Sequence, residues 1–377
     1  MADEMVELAQ RFINSYDVAG IPQVEVNGRT SWKVMHALTR ALQYELGITE
    51  LSDSFGPTTL SALRSRFGAC VDGSTRHGNV YRIAQSGLYC KGYDGGGIDA
   101  SYNDRVVDSV IGIKSDMGIG GAFPGGGLEP KVFKALLTMD PYVRVGDGTE
   151  AVRGIQRWLN GRYVGRREFF VCPCDGHFSR DVQKALVFAL QYEIGMGDDT
   201  ANGRFGPGTQ DGVRSQALLE AGSADGARQF VRLFQAAMRF NGWDVAFDGR
   251  YSQALAHTVA EFQRFARLLP AHGGGDFRTW ASLLVSTGDP TRSPPSPSAQ
   301  ARGTSRSTRT SPPDGTRDRT GSPPAARTPP WTSTSTAPGR TTSPRTSSAT
   351  SRTTATAASA ACAGPMSARP RSSTWTG

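Results

Sequence analysis

Two glutamates, Glu45 and Glu193, are the side chains whose type and setting come closest to catalytic chemistry. Each follows a tyrosine near the end of a predicted helix, and a pair of carboxylates can share the acid and base roles of glycoside hydrolysis. The two glutamates, however, occupy matching places in two copies of one sequence block. Equal placement favours a repeated structural or ligand-contact role, and we predict no catalytic residue in residues 1–290.

The histidines and cysteines add no recognisable reactive group. The five histidines are scattered, and the sequence contains neither a His-Glu-x-x-His motif nor a nucleophile elbow. Cys172, Cys174 and His177 could contribute to a metal site, but structural zinc requires four ligands at matched spacing. We therefore predict a loop with two unpaired thiols, without a metal ion or any other cofactor.

The elements that position these side chains are predicted to be helices joined by glycine-containing turns. In residues 229–284, apolar residues first recur with the spacing of one helix face. The turn Asp248-Gly249 follows, and Ser252 can cap the next helix. A second glycine-rich turn then leads to a short third helix that carries Trp280. The segment therefore predicts a compact unit of three helices.

Degraded copies of this unit recur along the first 290 residues. The block LQYELG at 42–47 returns as LQYEIG at 190–195, and the tripeptide FGP at 55–57 returns at 205–207. The offsets between matching blocks lie between 146 and 150 residues, so the long repeat keeps its register. We predict an all-α fold of four small three-helix units in two pairs, namely unit A (1–69), unit B (70–143), unit A′ (144–218) and unit B′ (219–288).

The order of residues in unit B′ resembles the peptidoglycan-binding repeat of bacterial and phage cell-wall proteins. That family combines a leucine–glutamine helix, a glycine–aromatic step, an aspartate–glycine turn, a helix ending in phenylalanine–glutamine and a closing threonine–tryptophan. The same features occur here in order, at Leu233 and Gln235, Gly242-Trp243, Asp248-Gly249, Phe262-Gln263 and Thr279-Trp280. The resemblance implies noncovalent binding to cell-wall glycopeptide, with peptidoglycan or a related wall polymer as the partner.

Aromatic and polar groups near the turns are the predicted ligand contacts. Sugar rings offer apolar faces to aromatic side chains, and their hydroxyls and the peptide amides need polar partners. Trp243 and Tyr251 flank a turn and are expected to be exposed, whereas Phe55, Phe205 and Trp280 are expected in the core. The candidate ligand-binding residues are Trp243, Asp248, Arg250, Tyr251, Tyr44 and Tyr192.

The net charge of +8 arises in the C-terminal segment. Residues 291–377 hold twelve Arg, no Lys and two Asp, whereas residues 1–290 have a net charge of −2. The C-terminal segment lacks Leu, Ile, Val and Phe, and such a composition cannot form a core that offsets its ordering entropy. We predict a disordered basic tail over 289–377, and we expect nucleic acid as a partner only through that tail.

Three interpretations of this tail stay open. It is an arginine-rich arm for anionic polymers, an extended linker, or the product of a frame slip in a gene rich in G and C. Proteins that resemble these repeats often continue into a glycoside-hydrolase-like domain, and residues 286–292 look like the start of one. The alternative function is therefore a glycoside hydrolase, of the lysin kind, whose C-terminal catalytic domain is truncated or frame-shifted in this chain.

The hydropathy of the chain bears on its location. No run of eighteen apolar residues occurs, so we expect no membrane partner. The N-terminus is acidic and amphipathic, unlike a secretory signal. We expect the protein to act at the cell wall or outside the cell after release by a route that needs no signal peptide, and to be cytoplasmic before release.

Overall fold

The computed structural model describes residues 2–74 and 77–285, and within them regular secondary structure is entirely helical. The predicted all-α class is confirmed. The predicted tail, 289–377, lies outside the described residues. The twelve helices of the described part are α1 (Glu4–Asn14), α2 (Trp32–Glu45), α3 (Pro57–Phe67), α4 (Gly78–Cys90), α5 (Asp104–Asp116), α6 (Pro130–Leu136), α7 (Glu150–Tyr163), α8 (Arg180–Glu193), α9 (Pro207–Gln216), α10 (Phe230–Phe240), α11 (Gln253–Phe265) and α12 (Phe277–Val285).

Local sequence signals explain where these helices begin. The hydroxyls of Ser31, Ser179 and Ser252 each accept a hydrogen bond from the backbone N–H three residues later, which satisfies one of the free donors of a first turn. Pro57 and Pro207 occupy first-turn positions, where the missing N–H costs nothing. The cap predicted at Ser252 is therefore confirmed.

The helices pack in two arrangements in which corresponding helices are in contact. In the first, α1 packs on α2 and α4, α2 on α4, and α3 on α6; in the second, α7 packs on α8 and α10, α8 on α10, and α9 on α12. Buried apolar side chains form two clusters that follow the same division, one mostly within residues 13–142 and the other within 155–284. Three helices fall within each predicted unit, and the unit boundaries themselves stay a prediction.

Polar contacts link the first arrangement to the second. The Nζ of Lys131 in α6 donates to the carbonyls of Val164, Arg166 and Phe169, just beyond the end of α7. Arg153 in α7 forms an ion pair with Asp116 at the end of α5, with 2.9 Å between Nη2 and Oδ1. Side chains of each arrangement therefore bond to polar groups at a helix end of the other.

Within the described ranges, no helix is long and apolar enough to cross a membrane.

Candidate ligand-binding surface

The α10–α11 turn, where the sequence places four candidate residues, is built around the buried amide of Gln235. Its Nε2 donates to Asp248 Oδ1 over 2.8 Å and to the Arg250 carbonyl over 3.1 Å. Its Oε1 accepts from the backbone N–H of Asp248 and of Gly249. A single amide thus satisfies four polar groups of the turn, as a buried polar side chain must. We call this arrangement a glutamine clamp.

The same clamp recurs at the first helix of every predicted unit. Gln10, Gln85 and Gln156 each donate to the side-chain oxygen of Asn27, Asp99 or Asp175 at the turn, and to the carbonyl two residues later. All four first-helix glutamines are almost fully buried. The recurring glutamine of the sequence pattern is therefore a structural residue that fixes the turn after it.

A second clamp lies at the middle helix of each unit. Gln43, Gln191 and Gln263 donate to a turn carbonyl and to the hydroxyl of a threonine in the next helix. In α5 the equivalent side chain is Lys114, whose Nζ lies 3.0 Å from the Gly125 carbonyl and 2.8 Å from Glu129 Oε2. An ion pair replaces the neutral amide–hydroxyl pair in this one unit.

The clamp positions the two exposed polar candidates of the turn. Asp248 Oδ1 accepts from Gln235 and from the Arg250 backbone N–H, and these hydrogen bonds keep the pKa of the Asp248 carboxyl below its usual range. Gly249 has a φ of +75°, and a Cβ there would lie 2.6 Å from Asp225 Oδ2. The turn therefore presents an ionised carboxylate and an exposed guanidinium on a fixed backbone.

Trp243 lies in the same connection and is half-buried. Its ring makes edge contacts with Phe262 and Phe265, at centroid distances of 5.8 and 6.1 Å. Phe265 is 57% exposed. The two rings form an aromatic surface at the end of α11, and Phe265 is a member that the sequence pattern did not reveal.

The expectation that Tyr251 is exposed is wrong. Its side chain is 1% exposed, its hydroxyl donates to the Gly273 carbonyl over 2.9 Å, and its ring packs 5.7 Å from that of Phe234. The backbone N–H of Tyr251 also donates to the Ser223 carbonyl, and this bond fixes the residue on the buried side of the turn. Tyr251 is therefore a core residue that stabilises the turn and is not available to a ligand. Phe55 and Trp280 are buried and Phe205 partly buried, as expected of core residues.

The equivalent tyrosines Tyr44 and Tyr192 differ in exposure. Tyr44 is 47% exposed, whereas Tyr192 is 9% exposed and lies under the guanidinium of Arg166, 4.2 Å from its ring centroid. The side-chain amides of Asn14 in unit A and of Asn160 in unit A′ each bond the backbone N–H and carbonyl of one later residue. That residue lies ten positions further along in unit A and twelve positions further along in unit A′. The longer connection of A′ carries Arg166, and only Tyr44 offers a ring face to a ligand.

The glutamates Glu45 and Glu193 have matching structural contacts. Glu45 Oε1 accepts from the Tyr16 hydroxyl and from Asn79 at the start of α4, each over 2.8 Å. Glu193 accepts from the Tyr163 hydroxyl over 2.6 Å and from the Gln229 backbone N–H just before α10. Each glutamate thus joins an A-type unit to the B-type unit that follows it.

Cys172 and Cys174 are unpaired thiols, as expected, and both are buried. Burial raises the pKa of the Cys174 thiol to about 12 and raises that of Cys172 as well. Asn160 binds the backbone of Cys172 and the sulfur of Cys174. Within the described residues no group of three metal-ligating side chains comes together, and this loop serves packing.

Sequence reasoning missed Trp32, which is 55% exposed at the first position of α2. Its ring centroid lies 5.5 Å from that of His36. One turn further on, Arg40 Nε donates to Asp53 Oδ1 over 2.7 Å, and this bond is the main reason that the pKa of Asp53 is lowered. Trp32 directly follows the cap Ser31, and the sequence pattern gives no signal that its ring is exposed.

These surfaces have the groups that binding a wall polymer requires. Exposed rings at Trp32 and Tyr44 in unit A, and the half-buried Trp243 in unit B′, can stack on the apolar faces of sugars. Fixed charges beside them, at Asp248 and Arg250, can bond hydroxyls, amides or carboxylates.

Comparison with known proteins gives two kinds of match. Residues 145–284, which hold α7 to α12, match the family model described as the FadG/YbfG, PGDB-like domain, a domain of peptidoglycan-binding-like type. No solved structure matches the chain.

Two curated relatives come from Bacillus subtilis (strain 168), and both are named as uncharacterized proteins. FadG is 48% identical over 292 residues, which cover 77% of this chain and 50% of FadG. YbfG is 36% identical over 300 residues, which cover 78% of this chain and 39% of YbfG. The chain thus spans half or less of the length of these relatives, and over residues 145–284 it is similar to their peptidoglycan-binding-like domain.

Proposed function

We propose that this protein binds bacterial cell-wall peptidoglycan noncovalently. The observation that carries the proposal is the match of residues 145–284 to a peptidoglycan-binding-like domain model. The helices α7–α12 that make up this segment pack in the same way as α1–α6, so the proposal extends to the first half of the described chain. The site of action is then the cell wall or the outside of the cell.

The ligand contacts that we propose are the exposed groups of units A and B′. Trp32 and Tyr44 supply stacking surfaces on α2, while Trp243 supplies one at the α10–α11 connection, beside the fixed charges of Asp248 and Arg250. Each surface is small, and a single one would bind weakly. Several surfaces on one chain raise the effective concentration of the second contact once the first has formed.

We further propose that these units target a wall hydrolase. FadG and YbfG hold long stretches outside the segment that this chain matches, and repeats of the kind resembled here often adjoin a glycoside-hydrolase-like domain. Translating the gene in its other two frames beyond codon 291 tests this association. A barrel pattern of alternating strands and helices in one of these frames supports the association with a hydrolase. The absence of such a pattern from both frames counts against the frame-slip interpretation.

The binding proposal is tested by co-sedimentation of the full chain with purified sacculi. Trp32→Ala and Arg250→Ala remove one stacking surface and one fixed charge, and each should weaken retention about three- to tenfold, the effect of losing one exposed contact of roughly 1 kcal/mol. Leu218→Ala is the matched control, since Leu218 is 57% exposed and belongs to neither surface. Retention that is the same in all four proteins contradicts the assignment of these surfaces.

A further inference from the structure

A cleft of about 380 Å³ lies apart from the aromatic surfaces described above. It is bounded by α3, α6, α8 and the connection between α7 and α8. Its walls are about equally polar and apolar, and they carry several charged groups. The residues that matter for its chemistry are Lys134, Lys184, Phe170, Phe188, Asp140 and Asp181.

Two ammonium groups face this cleft without an anionic partner. Within the described residues, no carboxylate forms an ion pair with Lys134 or Lys184. Burial lowers the pKa of Lys134, and the positive charge of Lys184 lowers it further. Lys134 is half-buried, whereas Lys184 is exposed. An anion between them would remove their repulsion and offset the desolvation of Lys134.

The neighbouring Lys131 shows what a structural lysine looks like in this fold. Its three N–H donors all go to backbone carbonyls beyond α7, so its ammonium group has no donor left for a ligand. Lys184, by contrast, lies over aromatic rings, with Nζ 5.5 Å from the centroid of Phe170 and 5.9 Å from that of Phe188. Such contacts hold an ammonium group in place and leave its donors free.

The use of lysine at this site is itself informative. Residues 1–290 contain 24 Arg and only six Lys, yet three of the six lysines line this one cleft. An ammonium group is a compact point charge with three donors, whereas a guanidinium is a wide planar fork. A cleft of this size has room for a small anionic group between two ammonium groups.

The cleft also carries acidic groups that suit the other end of a zwitterionic ligand. Asp140 and Asp181 line it, and burial raises the pKa of the Asp140 carboxyl. Neither carboxylate forms an ion pair with another described residue. A peptide segment with a carboxylate and an amino group would complement both sets of charges, whereas a neutral sugar would complement neither.

We propose that this cleft binds the peptide part of the wall polymer, with a peptide carboxylate held between Lys134 and Lys184. The inference rests on the proposed function, and it assigns the peptide to the cleft and the glycan to the exposed aromatic surfaces. The cleft forms where α6 of unit B meets α8 of unit A′, so this peptide site requires both halves of the described chain.

The test is a calorimetric titration of the full chain with a soluble disaccharide-tetrapeptide and, separately, with a chitooligosaccharide that has no carboxylate. The double variant Lys134→Gln/Lys184→Gln should bind the disaccharide-tetrapeptide at least about tenfold more weakly, since charge-assisted hydrogen bonds are lost. Its binding of the chitooligosaccharide should not change. Lys33→Gln, at an exposed lysine on α2, should behave as the unaltered protein does.

Two further measurements keep the outcomes distinct. The melting temperature of the double variant should be no lower than that of the unaltered protein, because the substitutions remove unpaired ammonium groups. Equal binding of the disaccharide-tetrapeptide by the double variant and the unaltered protein overturns the cleft assignment. A complete lack of binding by the unaltered protein overturns it as well. Retention on sacculi, measured in parallel, decides the proposed function separately.

Discussion

At the scale of single residues, the recurring glutamines explain why the turns hold their shape. The sequence pattern marked Gln235 and Gln263 as family features, but it could not show that each amide satisfies several polar groups of a turn. Such contacts join residues ten to twenty positions apart, and only the packed helices bring them together. Exposure of Tyr251 was mispredicted for the same reason, since the backbone pairing with Ser223 is not visible in the local sequence.

Replacing Gln235 with leucine should lower the free energy of unfolding by about 2–4 kcal/mol. The change leaves two backbone N–H groups and one carbonyl of the turn without partners, and each buried unsatisfied group costs about 1–3 kcal/mol. Urea unfolding followed by circular dichroism measures the loss. The control is Gln253→Leu, at an exposed glutamine of the same unit. Equal effects of the two substitutions would show that the clamp does not stabilise the turn.

Ala100 occupies the turn position at which the other three first-helix clamps have glycine. Its φ is +69°, in the left-handed region that costs a non-glycine residue about 1–2 kcal/mol. Ala100→Gly should therefore stabilise the protein by about 0.5 kcal/mol, after the greater flexibility of glycine in the unfolded chain is counted. Gly249→Ala should destabilise it by about 2 kcal/mol or more. Thermal unfolding of both variants checks the opposite signs, and a loss of stability in Ala100→Gly contradicts the account.

At the scale of elements, helices were predictable and the lengths of their connections were not. Caps and first-turn prolines are local signals, and they mark the starts of α2, α3, α8 and α11. The covering of Tyr192 by Arg166, in contrast, results from a connection two residues longer in A′ than in A. Two equivalent tyrosines thus have different surroundings, which repeat matching alone would not reveal.

The ion pair of Lys114 and Glu129 provides an element-scale test of the second clamp. Both groups are largely buried, and burial lowers the pKa of Lys114 and raises that of Glu129. Lys114→Gln leaves a buried carboxylate unpaired and should cost about 3–5 kcal/mol at pH 7. The double variant Lys114→Gln/Glu129→Gln replaces the ion pair with two neutral amides at the same positions and should recover most of the stability of the unaltered protein.

The pH dependence of the single variant follows from the raised pKa of Glu129. A carboxyl whose folded-state pKa exceeds its unfolded value contributes most to stability below the unfolded pKa and loses that contribution as the pH rises. The deficit of Lys114→Gln, relative to the double variant, should therefore shrink as the pH falls from 7 towards 4.5. Urea unfolding at both pH values measures it, and a deficit that grows on acidification would contradict the assignment of Glu129 as the stranded group.

At the scale of the whole molecule, two sets of six helices share one packing pattern and are joined by polar contacts. Residues of both sets line one cleft. The sequence predicted the all-helical class and the register of the long repeat. It did not predict the links, because Lys131 and Arg153 contact residues of the other half of the described chain. The exposed candidate surfaces lie on α2 and on the α10–α11 turn, so the protein can contact a polymer at more than one place.

The account is tested most directly by retention of the full chain on purified peptidoglycan sacculi at about 0.5 M NaCl, a salt concentration that screens charge attraction. Residues 1–290 have a net charge of −2 and residues 291–377 carry the basic excess. Binding through aromatic and hydrogen-bonding groups of the helical units should persist at this salt concentration. Loss of retention at high salt, or no retention at any salt concentration, would contradict the claim that these units bind the wall.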